Sequence, residues 1–461
     1  MKKESVSGRM IATKQNITER ILLMPTLTQN TLQFNRSIKL SNDGGELSSD
    51  TGHVIFREFD DKLGFSQTIA AHLQLVDERT FCVHENHELL QQKIYQLIAG
   101  YQEDDAADYL TTDPVFTQIL AKPALASQPS LSRFFHRFDS NALDQLQEAN
   151  QTMLDQVHRA RQSQALIVDL DSSHADTYGQ QEEAAYNAHY QTVGFHPLVA
   201  FDGLTGDFLK AKLRPGNVYT SNGVVDFIRP VIEHYNEQFP ETSYLVRGDS
   251  GFAVPQLYEL CEKESFSYII RLKSNAKLQA LAEELHPTDE IQDISKTEYY
   301  VEDSIYQAAS WSKPRRIVIQ STRPAGELFF RHAFFVTSLG ECFSPQAIVY
   351  SYQQRGTMEN FIKEAKEGFG FDQMKSHDFT VNSARMMISL LAYNLTNWLR
   401  TLSFPTTSKG IQIGTIRTRL VKVASKLVKS GRYLHMKISS YFVYDRFFWD
   451  VLARVQRLQF N

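Results

Sequence analysis

Residues 165–171 read ALIVDLD, a short apolar run interrupted by two acids. Upstream of it the apolar residues recur at three- and four-residue steps, whereas this run is too short for that period and ends on a charge. It is the mark of a buried strand that finishes at a polar site. Downstream, FHPLVAFDGLTGDFLKAKLR (195–214) reads as a hairpin, with Leu198 to Phe201 and Phe208 to Leu213 flanking the turn residues Asp202, Gly203 and Gly206. A helix over about 221–239 follows, opened by a Ser221 or Asn222 cap and closed before Pro240. SYLVRGD (243–249) is a second apolar strand leading straight into Asp249, and PQLYELCEKES, SYIIRLK and residues 276–285 read as helix, strand and short helix. Strand, hairpin, helix, strand, helix is the order of an α/β fold with a mixed sheet that begins on an antiparallel pair.

Beyond that unit, TEYYVEDSIYQAAS, RRIVIQST and ELFFRHAFFVTSL are aromatic and β-branched, which predicts an inserted antiparallel β-unit at about 290–340. Next comes YQQRGTMENFIKEAK (352–366), read as a helix whose Met358, Phe361, Ile362 and Ala365 form one apolar stripe. Tyr352, Arg355, Glu359 and Lys366 then cluster on a connected surface beside the stripe, a carboxylate bracketed by two cations and a phenol. A solvated face with ordinary charge pairs has the same spacing. The apolar helix SARMMISLLAYNLTNWLRTL is interrupted by Asn394, Asn397 and Arg400.

Before residue 165, residues 1–53 read as a flexible arm or linker ending in the turn cluster SNDGGELSSDTGH, and 54–160 as a helical domain. Within it, Ser130 or Ser132 is placed to cap a short helix bearing Arg133, His136 and Arg137, which suits DNA contact or a purely structural bundle. The sheet-forming region is assigned to 161–402 and the C-terminal region to 403–461. From Arg400 onward there are twelve Lys/Arg and two acids, Asp445 and Asp450, a local charge of 12 − 2 = +10. A basic, largely helical tail is predicted, facing a polyanion or simply solvent.

Composition sets the outer limits. At 461 residues, 42% apolar and 22% charged, the chain matches a soluble globular protein of two or three domains. Cys82, Cys261 and Cys342 follow no metal-ligand spacing, and no signal peptide or membrane-spanning run is evident, so a cytoplasmic protein is expected. A net charge of −5 argues against a uniformly basic nucleic-acid coat.

Three carboxylates stand out by context: Asp171 at the end of the first strand, Asp249 at the end of the second, and Glu359 on the helix. Strand ends in such sheets are where side chains leave the interior and converge. Three converging acids repel one another unless cations neutralise them. Two Mg²⁺ ions about 3.5–4 Å apart, sharing one carboxylate, do so and equip the site for phosphodiester chemistry.

These residues carry a resemblance. The chain resembles bacterial insertion-sequence transposases of the DDE class, through the signature Y-x2-R-x3-E-x6-K met by Tyr352, Arg355, Glu359 and Lys366. Further likeness runs through DSSHADTYGQQE, GFHPLVAFDGLTGD, LRPGN, RGDSGF and LASQPSLSRF, covering roughly 54–400. The resemblance implies a ribonuclease-H-like catalytic fold and metal-binding catalytic acids at Asp171, Asp249 and Glu359. It implies Mg²⁺ (two ions, Mn²⁺ as substitute) as cofactor. Arg355 and Lys366 would touch DNA phosphates, supported by Tyr352, and Trp311 in the inserted unit would stack on a displaced base, unless it is a core or cross-strand packing residue. Partners implied are double-stranded DNA, as terminal inverted repeats and target, and a second copy forming a homodimer on it.

Several readings compete. Asp169 shares a strand face with Asp171 and rivals it as first acid, although Asp171 is the one followed by Ser172 and Ser173. Asp169-Leu170-Asp171-Ser172-Ser173 also resembles the D-x-D-x-[TS] nucleophile motif of haloacid-dehalogenase-type phosphatases. A DNA-binding protein that has lost catalysis is a third reading. His174, His189 and His196 lie near the first acid in sequence, and His84 and His87 make an H-x2-H pair lacking cysteine partners. Arg214, Asn217 and Arg247 are placed either for phosphate contact or for structural salt bridges.

Overall fold

The computed structural model describes residues 32–79, 81–177, 179–285 and 293–460. Most of the arm expected at 1–53 therefore lies outside the described residues. Among the described residues two compact units separate: residues 32–47 with 426–437, and those of 48–425 with 438–460.

An eight-stranded mixed sheet organises the larger unit. Its strands are β1 (Ala165–Ser172), β2 (Leu198–Asp202), β3 (Phe208–Lys212), β4 (Ser243–Gly248), β5 (Ser267–Leu272), β6 (Glu298–Tyr306), β7 (Arg315–Arg323) and β8 (Arg331–Thr337). Their spatial order is β6-β7-β8-β5-β4-β1-β2-β3. β1 runs parallel to β4 and β4 parallel to β5, while every other neighbouring pair is antiparallel. The inserted β-unit is thus no separate sheet; it extends the main one past β5. Among the described residues, no helix is long and apolar enough to cross a membrane.

The helices that matter for the site are α1 (Ser140–Arg161), α2 (Val224–Gln238), α3 (Pro255–Lys263), α4 (Pro345–Gln353), α5 (Gly356–Phe369) and α6 (Phe379–Ser403). Gly223, not Ser221 or Asn222, sits at the N-cap of α2. The expected stripe on α5 is buried, with Met358 at 1% and Ala365 at 0% exposure. α6 is buried along nearly its whole length, and its polar interruptions are docking points. Asn394 accepts from the Phe208 backbone N–H at 2.8 Å and donates to the Phe208 carbonyl, gripping β3. Asn397 donates to Asp207, and Arg400 pairs with Glu364 at 3.0 Å, so α6 fixes α5 against the hairpin. Buried polar groups with complete partners specify one arrangement of elements, which apolar contacts alone would not.

The helical segment upstream of β1 shares this core. The Phe65 ring meets the Trp398 ring at 6.2 Å, and Arg161 at the end of α1 pairs with Asp207. The short helix Gln128–Phe135 has Ser127 at its N-cap, ahead of the expected Ser130 or Ser132, and Arg137 is engaged by Asp77 and Asn86. In the tail, the expected helix is present at Asp445–Arg457, but Ser425–Ser430 and Tyr433–Ile438 are strands. Gly431 at φ 60° makes the turn between them that a helix cannot.

His53, at the start of the first helix, is fully buried among Phe56, Tyr95 and Phe116, and neither ring nitrogen has a partner. Burial pushes its pKa down to about 3. The unfolded ring takes a proton below about 6.5, so between those values the unfolded chain binds more protons and stability falls as the pH falls. His53→Phe should remove that penalty and move the acid-unfolding midpoint, followed by circular dichroism, to lower pH. An unchanged acid limb would assign the loss to other groups.

Candidate active site

A cleft of about 1230 Å³ opens at the C-terminal ends of β1 and β4. Asp171 enters it from the end of β1, Asp249 from the turn after β4, and Glu359 from the first turn of α5. Parallel strands deliver the first two to the same edge because their register holds Asp169 beside Arg247. Asp249 is fixed by accepting the Gly251 N–H at 2.7 Å. Burial raises the Asp171 pKa, the Asp249 charge adds to the rise, and Arg355 opposes it at 3.2 Å. The two aspartates therefore feel one another across the cleft.

Asp169 is fully buried and accepts from the Arg247 Nε and Nη2 at 2.6 Å each. It does not line the cleft. Although both aspartates share a strand face, only Asp171 lies beyond the packed interior. Gly203 is required here, since a side chain at that position would collide with the Asp169 carboxylate and the Arg247 guanidinium.

The segment expected as one helix from Tyr352 to Lys366 is interrupted by a turn at residues 354–355. α4 ends at Gln353 and α5 begins at Gly356, with i→i+3 bonds from Arg355 N–H to Tyr352 O and from Met358 N–H to Arg355 O across the junction. Gly356 is a weak helix former, and the Thr357 hydroxyl donates to the Gln354 carbonyl, which favours the break. Tyr352 and Arg355 consequently lie before the break, and Glu359 and Lys366 after it. Tyr352 packs its ring 4.7 Å from Phe335. Arg355 turns inward, donating to the Leu170 carbonyl at 2.7 Å and pairing with Asp171, while its Nε is buried without a partner. Burial opposes its charged form, and the charges of Asp171, Tyr352 and Asp249 overcome that and raise its pKa.

Lys366 lines the cleft, donating to the His174 carbonyl at 2.7 Å and lying 3.6 Å from Asp372. Trp311 takes the packing position that the sequence also allows. It is 7% exposed, enclosed edge-on by Tyr258 and Tyr306 with the Arg315 guanidinium 5.5 Å from its ring, so no face is open to a base. Arg214 is buried and fans onto the carbonyls of His196, Thr220 and Asn222, which makes it a loop anchor, whereas Asn217 does line the cleft. The His196 Nδ1 donates to the Val218 carbonyl at 2.8 Å, and His174 stacks on Tyr190 at 4.7 Å.

Sequence reasoning missed one wall of the cleft. Tyr186 comes from a small three-stranded sheet (Ala175–Asp176, Ala185–Asn187, Thr192–Phe195), Tyr190 from the turn between its last two strands, and Tyr219 from the loop after β3. Asn187 ties the two segments, accepting from the His189 N–H and donating to the Gly216 carbonyl at 2.7 Å. Burial raises the Tyr190 pKa, with Asp171 and Asp249 adding to it, so its phenol stays protonated beside both acids. Lys273 donates to the Tyr219 hydroxyl at 2.9 Å, and Lys363 lies four residues after Glu359 on α5. Of these, only Lys363 carries a local signal, its helical spacing to Glu359.

Oxygen-only donors on three elements suit a hard divalent cation. Among the described residues, however, no group of three Asp, Glu, His or Cys lies close enough to form a ready-made metal site, and that includes His84 and His87. The oxygen chemistry of Asp171, Asp249 and Glu359, which line the same cleft, fits such a cation, with no closed ligand set in place.

Sheet and cleft together define a mixed α/β protein that gathers carboxylates at its strand ends. The chain belongs to the family described as transposase DDE domain group 1, whose model matches residues 30–460. No curated protein matches it. Among solved structures it is similar to a piggyBac transposase synaptic complex with hairpin DNA, determined by cryo-EM, at 13% identity and a TM-score of 0.41, covering 81% of this chain and 80% of that one. A Mos1 transposase paired-end complex with left transposon end matches at 10% identity and a TM-score of 0.17, over 42% and 61%.

Proposed function

We propose that this transposase-family protein cuts DNA at the ends of a mobile element and joins the freed ends to target DNA, with Asp171, Asp249 and Glu359 as its metal-binding acids. The observation that carries the reading is the opening of these three carboxylates, from β1, β4 and α5, into one cleft. The order β3-β2-β1-β4-β5, antiparallel then parallel, supports a ribonuclease-H-like catalytic core extended by β8, β7 and β6.

When bound, two divalent cations would activate water and stabilise the leaving oxygen of a phosphodiester. Asp171, Asp249 and Glu359 would supply the protein's oxygen ligands to them. Arg355 keeps the Asp171 carboxylate oriented from behind, a positioning role in place of direct phosphate contact. Lys363, Lys366 and Lys273 present charge to the phosphates of a strand in the cleft. Hydrolysis breaks one P–O bond and frees a 3′-hydroxyl; that hydroxyl then attacks a target phosphodiester, one P–O bond forming as another breaks. No protein-DNA bond is required. Two ends held together call for two copies of the chain on the DNA.

The phosphatase reading requires Asp169 as nucleophile, which is buried and accepts two hydrogen bonds from Arg247, an arrangement that argues against access to substrate. The inactive-protein reading leaves three acids lining one cleft without a role. Purified protein incubated with the DNA flanking its own reading frame, with Mg²⁺ or with chelator, should give Mg²⁺-dependent cuts mapping to the element ends. Turnover of a generic phosphate ester without DNA cutting would overturn the proposal in favour of the phosphatase.

A further inference from the structure

The smaller unit has a composition unlike the rest of the chain. Its described residues, 32–47 and 426–437, carry Arg36, Lys39, Lys426, Lys429, Arg432 and Lys437 against Asp43 and Glu46, a charge of 6 − 2 = +4, while the whole chain is at −5. All six cations are exposed. Among the described residues, no acid pairs with Lys429, Arg432 or Lys437.

Structurally the unit is a β-ribbon. Ser425–Ser430 and Tyr433–Ile438 are neighbours joined by the two residues Gly431 and Arg432, a link short enough only for an antiparallel hairpin. Leu47–Ser48 adds a third, two-residue strand, and the Leu427 N–H donates to the Glu46 carbonyl at 2.8 Å. By strand alternation Tyr433, His435 and Lys437 share one face. Large apolar groups stand exposed beside the charges: Tyr433 at 73%, Phe34 at 81% and Leu47 at 58%. Lysines on an edge strand can be a guard against edge-to-edge pairing, but such a guard does not account for exposed aromatic rings among them.

We propose that this ribbon is a duplex-DNA-binding element that shares no residue with the acid cleft, with Lys429, Arg432 and Lys437 on phosphates and the Tyr433 face toward the groove. A two-stranded ribbon fits the roughly 12 Å width of the major groove, and unpaired cations on both sides of it meet the flanking backbones. Charge selects a polyanion over a second copy of this chain, whose like-charged ribbon would repel it. That the polyanion is DNA rests on the function proposed above.

The test uses the full chain carrying Lys429→Gln, Arg432→Gln and Lys437→Gln together, with Tyr433→Ser as a second variant. Affinity for a short duplex, measured by fluorescence anisotropy at several salt concentrations, should fall. For the triple variant the slope of log K against log salt should shrink by about 0.9 for each phosphate no longer neutralised, up to roughly 2.7. Mg²⁺-dependent cleavage at saturating DNA should persist, and Tyr433→Ser should weaken binding with the slope unchanged. Unchanged affinity and slope in a folded triple variant would overturn the inference, as would a homodimer in sedimentation that the substitutions dissociate while DNA affinity is kept. The two proposals separate: wild-type protein that binds duplex through the ribbon but never cuts it sinks the transposase function, whereas a protein that cuts DNA and whose DNA affinity does not depend on the ribbon sinks only the ribbon.

Discussion

Glu359→Gln should lower metal-dependent strand cleavage by about 10³-fold while DNA affinity stays at the wild-type level. The magnitude follows from removing one oxygen ligand from a site that stabilises transition-state charge by several kcal/mol, since roughly 4 kcal/mol corresponds to about a thousandfold in rate. Glu359 is exposed in the cleft on the first turn of α5, and neither a hydrogen bond nor an ion pair to it is seen among the described residues. The substitution therefore costs the fold little, which makes lost activity interpretable. Gel-based cleavage of an element end at saturating DNA is the measurement, with binding followed in parallel in chelator. A variant that still cuts at the wild-type rate would remove Glu359 from the chemistry.

Arg247→Met should destabilise the protein by about 3–5 kcal/mol, the penalty for leaving a buried carboxylate without its partner. Arg247 is 1% exposed and Asp169 fully buried, and the same guanidinium also donates to the Ser351 carbonyl on α4. One side chain thus joins β4, β1 and the helix that leads into α5. Pairing Arg247→Met with Asp169→Leu should recover much of the loss, because both charges are then gone and neither leaves the other unsatisfied. Denaturant unfolding of the single and double variants tests this. Equal stability of single variant and wild type would show that the ion pair contributes no more than a surface pair would. The outcome also bears on the phosphatase alternative, since an acid needed to hold the scaffold is not free to attack phosphate.

How much of this was legible in the sequence depended on the range over which each signal acts. The strands at 165–172, 243–248 and 267–272, the hairpin at 198–212 and the helix at 276–285 follow local periodicity, and each is where the pattern puts it. That Asp171, Asp249 and Glu359 line one cleft was legible because strand ends and a helix start are topological positions. The break at residues 354–355 was not, since one glycine in an otherwise helical pattern is usually tolerated. That miss carried Arg355 with it: a surface cation on an ideal cylinder became an inward one holding Asp171. Asp169 and Asp171 share a face, so periodicity alone could not separate them; the partner that does, Arg247, is 78 residues away in sequence. The two readings of Trp311 could not be separated locally because its cage of Tyr258, Tyr306 and Arg315 is assembled by sheet pairing. The ribbon unit joins residues 32–47 to 426–437, a separation at which a single sequence carries no signal; its charge was visible, its shape was not.

That Asp171, Asp249 and Glu359 jointly hold the divalent cations that cut DNA is tested most directly by diffraction from crystals of the protein with an element-end DNA and Mn²⁺, recorded at the manganese absorption edge. Anomalous peaks are expected in the cleft, ligated by oxygens of all three carboxylates and by the DNA phosphate, and they should be lost in Glu359→Gln crystals. Peaks confined to other acids, or a cleft that binds DNA with Glu359 turned away from any ion, would contradict it.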